Sequence, residues 1–168
     1  MRKRTRSREF ALQILYQVDI KHSDINEILE DFWEDRTDLA LSNQEKEALE
    51  SDKKDPEIRK YTETLVNGTL QKLGAIDQTI ERFAENWEIK RMAYVDRNIL
   101  RLSTYEMLYL EEIPIKVAIN EAVELAKRYG ELDSSKFVNG ILDRIAKTEC
   151  PPKGAADPST KRRRASLD

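Results

Sequence analysis

Residues 115–130 read IKVAINEAVELAKRYG, and their spacing decides the fold. Ala118, Ile119, Ala122, Val123, Ala126 and Tyr129 recur at intervals of three and four, while Asn120, Glu121, Glu124, Lys127 and Arg128 fill the opposite side. That is the repeat of an α-helix with one face turned inward. Glu112-Ile113-Pro114 breaks the chain just ahead of it, and Gly130 supplies a C-terminal stop.

The same period runs outward in both directions. Toward the C-terminus, Val138, Ile141, Leu142 and Ile145 predict a helix from Ser134 to about Lys147. Gly140, in its middle, costs about 1 kcal/mol relative to Ala and so predicts close approach of a neighbouring backbone. Toward the N-terminus, the densest apolar pattern, Tyr94 to Leu110, predicts a helix at the centre of a bundle. Glu106 falls within its apolar arc, where a carboxylate needs hydrogen-bond donors; a structural role is expected. Ile76 to Asn86 predicts a further helix, as does the stretch from Asp55-Pro56 to Gly74, with Pro near its first position. Ile25 to Trp33 and Ser7 to Lys21 complete the set, the latter with Ser7 as N-cap and Phe10, Ala11, Ile14, Leu15 and Val18 inward.

Strand alternation is nearly absent. The expected fold is therefore all-α, a bundle of about seven helices over residues 1–149, with a long polar loop at about 34–55 that holds at most a helical turn in SNQEKEAL. Residues 150–168, rich in Pro, Ala, Lys and Ser, read as a disordered basic tail.

Composition excludes several chemistries. A single cysteine, Cys150, and a single histidine, His22, leave no internal disulfide, thiolate cage or multi-histidine metal site. None of the five glycines stands in a phosphate-loop context, so no nucleotide cofactor is expected. No run of 18 or more apolar residues occurs, and the start lacks the apolar core of a signal peptide; a cytoplasmic protein is expected.

Charge is polarised. The net charge is -3, yet Arg2, Lys3, Arg4, Arg6 and Arg8 crowd the first eight positions without an acid, and the tail is basic too. On the first helix Tyr16 points away from the apolar stripe, beside Glu9, Leu12 and Gln13. Arginines for phosphates and an outward ring for a base would suit single-stranded nucleic acid. A Tyr packed on a neighbouring helix and a frayed N-terminus would look the same, and geometry alone leaves both open. Phe137, at the edge of the last helix's stripe, reads from spacing alone as core edge.

Three blocks, RSREFALQILYQVD, VDRNILRLSTYEM and PIKVAINEAVELAKRYGELDSSKFVNGILDRIA, together resemble the NusB family of bacterial transcription antitermination factors. The resemblance spans about Arg4 to Ala146 and is weak over the loop and the tail. It implies two packed, three-helix-like subbundles and no enzymatic activity. It also implies binding of the boxA RNA of ribosomal RNA operons together with NusE, a small-subunit ribosomal protein, in a complex that joins RNA polymerase and suppresses termination. Carried over residue by residue, it assigns RNA contacts to Arg4, Arg6, Arg8 and Tyr16, and to Asp133, Ser134, Lys136 and Phe137. Thr5 stands where a further arginine can occur. Asp96 matches an acidic position facing NusE, with Arg97 and Arg101 on what reads as an outward stripe nearby.

Two other readings compete. A protein-interaction adaptor would bind no RNA. The helical module of ribosomal RNA cytosine methyltransferases would need a cofactor-binding sheet and a cysteine nucleophile, for which Cys150 before a double Pro is no substitute. Homodimers occur in the family, and these residues do not decide the matter.

Overall fold

The computed structural model describes residues 2–34 and 42–150; apart from Cys150, the tail expected at 150–168 lies outside them, as does part of the expected loop. Among the described residues there are eight α-helices, one short 3₁₀ turn and no strand. The chain divides into two compact units, the first ending at Asn67 and the second starting at Gly68.

The first unit holds α1 (Arg2–Lys21), α2 (Ile25–Glu34), α3 (Asn43–Lys54) and most of α4 (Pro56–Gln71). Here α1 is the hub. Phe10 meets Phe32 and Trp33 of α2 edge to face, with ring centroids 5.3 and 5.9 Å apart. Ser7 is buried, and its hydroxyl donates to the Ile58 carbonyl of α4 at 3.0 Å. Ser7 is therefore not an N-cap, because the helix is already under way from Arg2. Cations at a helix N-terminus oppose its dipole. Acids of α3 and of its C-cap offset that cost: Asp52 receives Arg2 and Arg6, and Asp55, between α3 and α4, receives Lys3.

α3 occupies most of what the sequence presented as loop, which gives this unit four helices rather than three. Its start is a capping box: Ser42 accepts from the Glu45 backbone N–H at 3.2 Å, and Glu45 Oε2 accepts from the Ser42 N–H at 2.9 Å. The backbone N–H of Ser42, followed by its hydroxyl, holds the Glu45 carboxyl below its ordinary pKa.

The second unit holds the end of α4, then α5 (Leu73–Phe83), a 3₁₀ turn (Ile89–Arg91), α6 (Tyr94–Tyr109), α7 (Ile115–Tyr129) and α8 (Ser134–Glu149). α6 and α8 pack against each other, and each also packs against α5 and α7; α6, buried along most of its length, sits among the other helices as its apolar density predicted, and α8 shares that place. Ile99, Leu102, Met107, Ala118, Ala122, Val138 and Leu142 are buried, and so is Glu106. The small residues Ala118, Ala122 and Ala126 let α7 lie close to its neighbours. Tyr129, expected inward on α7, is instead exposed.

Glycine is required at a position other than the expected one. A Cβ on Gly140 would meet only the Arg144 guanidinium, at 3.6 Å, which is ordinary contact. At Gly68 an added Cβ would overlap the ring of Tyr105, which stacks on Tyr109 at 5.4 Å. Gly68→Ala is expected to cost about 1–3 kcal/mol through overpacking, whereas Gly140→Ala is expected to be neutral or to stabilise by up to about 1 kcal/mol. Urea denaturation of the two variants checks the opposite signs.

Candidate nucleic-acid interface

The basic start of α1 is divided among three tasks. Arg4 is exposed, with its guanidinium 4.9 Å from the centre of the Tyr61 ring. Arg6 is half-buried and donates from Nε to Asp52 Oδ2 at 2.8 Å, with Glu9 at 3.6 Å. Arg8 is only 2% exposed and lies 5.8 Å from the same Tyr61 ring, so it serves the interior and has no surface to offer a phosphate. Its expected role as a phosphate contact is corrected accordingly: the Tyr61 ring offsets part of the cost of burying the charge and keeps the guanidinium inside.

Asp52 and Asp55 strap this start in place. Lys3 Nζ lies 3.2 Å from Asp55 and 3.3 Å from Glu57, and hydrogen bonds to both raise the lysine pKa. Burial works to raise the Asp55 pKa, but the Glu57 backbone N–H and the Lys3 ammonium outweigh it and hold the carboxyl below its ordinary value. A depressed carboxyl stabilises above its unfolded pKa and loses that contribution as pH falls through the folded value. A raised lysine stabilises below its unfolded pKa and loses it as pH rises through the folded value. The strap is thus intact throughout the neutral range.

Further along α1, Tyr16 is 38% exposed, with Gln13 and Ile20 exposed on the same stripe. Glu9 and Leu12, expected outward beside Tyr16, are buried, because the hub position of α1 leaves a narrower open face than an amphipathic surface helix has. A rise of about 1.5 Å per residue puts Arg4 and Tyr16 about 18 Å apart along the axis, a span of a few nucleotides.

A second face belongs to the second unit. Asp133 and Lys136 are exposed at the start of α8. Ser134 is buried, and its hydroxyl accepts from the Glu131 N–H at 2.9 Å, so it shapes the turn rather than offering a contact. Phe137 is half-buried and meets Trp87 edge to face, 5.6 Å between centroids and 71° between planes. Trp87, which no sequence pattern singles out, is 51% exposed.

On α6, Asp96 is half-buried, and its Oδ1 meets no hydrogen-bond donor among the described residues. Arg97 and Arg101 do not form an outward stripe. Arg97 is buried, lies 4.2 Å from the centre of the Tyr94 ring and donates to the Ile89 and Lys90 carbonyls. Arg101 forks onto Asp77 of α5, Nε to Oδ1 at 2.8 Å and Nη2 to Oδ2 at 2.9 Å. Both arginines hold the unit together, as a central helix demands.

No cluster of His, Cys, Asp and Glu fit to hold a metal occurs among the described residues, and none of the described helices is long and apolar enough to cross a membrane. The described residues are helical, and the two candidate faces bring exposed cations and aromatic rings together, which is the character of a helical binding module. The chain belongs to the NusB family, whose family model matches residues 5–147. The transcription antitermination protein NusB of Thermodesulfovibrio yellowstonii is 40% identical over 162 residues, 91% of this chain and 98% of the relative. That of Bacillus subtilis is 42% identical over 143 residues, 85% and 94% of the two chains. Among solved structures, T. maritima NusB is 39% identical with a TM-score of 0.71, covering 86% of this chain and 91% of that one. A chain from the crystal structure of antitermination factors NusB and NusE in complex with double-stranded RNA is 28% identical with a TM-score of 0.71, covering 88% and 98%.

Proposed function

We propose that the chain is a non-catalytic transcription antitermination factor of the cytoplasm. With NusE it binds single-stranded boxA RNA of ribosomal RNA operons, and the assembly joins RNA polymerase and suppresses termination. The observation that carries the reading is Tyr16, an exposed ring on a helix otherwise buried from Ser7 to Leu15 except at Gln13, preceded by exposed and half-exposed arginines. Arg4, Arg6 and Lys136 would meet phosphates, Tyr16 and Phe137 would stack on bases, and Asp133 would accept hydrogen bonds. Arg8 and Ser134 position these groups. Single strands suit the rings better than a duplex, whose bases are already stacked. Asp96 would face NusE, a donor from which would satisfy its orphan oxygen, while Arg97 and Arg101 position that helix. An acidic chain body favours a basic ribosomal protein, and the local cations favour RNA.

Fluorescence anisotropy of a labelled boxA-like strand tests this reading. Binding to the chain alone is expected to be weak and to fall with salt, and NusE is expected to tighten it at least tenfold. A duplex of the same sequence should compete poorly. Equal binding with and without NusE, together with no preference over an unrelated strand, would leave a protein-only adaptor as the better account.

A further inference from the structure

We propose that Trp87 is an RNA-contacting residue, forming with Phe137 a second base-stacking platform; the inference rests on the RNA-binding reading above and extends it to a loop that reading does not use. A tryptophan is usually the most enclosed ring in a small helical unit, yet Trp87 is half-exposed and its ring pairs with Phe137 edge to face. Such a pair occupies one face of one ring only, which leaves ring surface for a stacking partner.

The loop that presents Trp87 is built, not slack. Before it, the Arg144 guanidinium of α8 donates from Nε to the carbonyl of Phe83, the last residue of α5, at 3.0 Å. After it, the Ile89 N–H donates to Glu81 Oε1 of α5 at 3.3 Å. Between these two pins, Glu85 and Asn86 adopt φ of 20° and 66°. Neither is glycine, and a left-handed backbone at ordinary residues is costly and concentrates where a side chain must be aimed. Two consecutive such residues turn Trp87 onto the Phe137 ring.

The surroundings favour RNA over a protein surface as the occupant. Lys136 precedes Phe137, and Lys90 and Arg91 follow Trp87 within four positions, all three exposed. Lys90 is only loosely paired, 3.5 Å from Glu88 with most of its side chain in solvent. Aromatic rings with cations within a few residues are the pattern of a single-strand platform, in which rings take bases and cations take the phosphates between them.

The chain has two tryptophans, so Trp33→Phe leaves Trp87 as the sole indole reporter. Titrating that variant with a boxA-like single strand should quench its fluorescence with the midpoint that anisotropy gives for the same RNA. In the otherwise unaltered chain, Trp87→Ala should weaken RNA binding about tenfold, Trp87→Phe should restore most of it, and both should keep the affinity for NusE. If the unaltered chain binds RNA but Trp87→Ala binds as tightly and no quenching is seen, the inference is overturned while the RNA reading stands. If Trp87→Ala weakens NusE and spares RNA, the platform is a protein contact and the inference is equally overturned. Should Trp87→Ala prove unstable, the quenching result decides alone. Failure of the unaltered chain to bind RNA, with or without NusE, would overturn the reading and the inference with it.

Discussion

Phe10→Ala is expected to destabilise the protein by about 3–5 kcal/mol, the largest effect of any single truncation on α1. Phe10 is 1% exposed and sits where three parts of the first unit converge. Its ring packs edge to face with Phe32 and Trp33 from α2, and the Arg6 guanidinium, held by Asp52 of α3, lies 5.8 Å from its centre. Truncation removes the transfer free energy of the ring and leaves a cavity that rigid aromatic neighbours collapse into poorly. It also strips two edge-to-face contacts worth about 0.5–1.5 kcal/mol each. Each unit carries one tryptophan, Trp33 in the first and Trp87 in the second, so the loss has an address. Urea unfolding followed at Trp33, with Trp87→Phe as background, should shift to lower denaturant. Phe10→Leu, which keeps most of the apolar volume, should shift about half as far. Unfolding of Phe10→Ala at the unaltered midpoint would mean that α1 is not the hub of its unit.

The helices were legible wherever an apolar stripe and a breaker coincided. α7 runs from Ile115 to Tyr129 as its spacing, Pro114 and Gly130 require, and α8 begins at Ser134, where its stripe places it. α3 was illegible to periodicity because it has almost no apolar stripe; Asp52 docks it through ion pairs to Arg2 and Arg6. Its signature was present all the same, in the S-x-x-E spacing of Ser42 and Glu45. For the interface, residue type misled more than spacing did. A charged side chain suggests the surface, yet Arg8 and Arg97 lie on the tyrosine rings of Tyr61 and Tyr94 and are buried. Nor does a local pattern announce Trp87, whose partner Phe137 is far along the chain and meets it only once α5 and α8 are packed. What charge and helical geometry did isolate, before any resemblance, was Tyr16.

Tyr16→Ala is accordingly expected to weaken binding of a boxA-like single strand about ten- to a hundredfold, the range for losing one base-stacking ring. Stability should change by no more than about 0.5 kcal/mol, because the residue lies outside the core of its unit. Three comparisons separate stacking from a hydroxyl contact, a charge contact or a packing role. Tyr16→Phe should bind nearly as well as the unaltered chain, since stacking uses the ring and not the hydroxyl. The slope of log affinity against log salt should be unchanged in Tyr16→Ala, because no phosphate contact is lost. Arg4→Ala should instead weaken all strands alike and lower that slope by about 0.7, one released counterion's worth for a single strand. Combining the two changes should give additive losses, since the residues lie more than three helical turns apart on α1. The strap constrains the outcome further: Arg6 is already committed to Asp52, so Arg6→Ala should cost stability as well as RNA affinity, whereas Tyr16→Ala costs affinity alone. If Tyr16→Ala instead lowered the melting temperature and left RNA affinity at its unaltered value, the ring would belong to packing, and the basic start of α1 would lose its partner in base recognition.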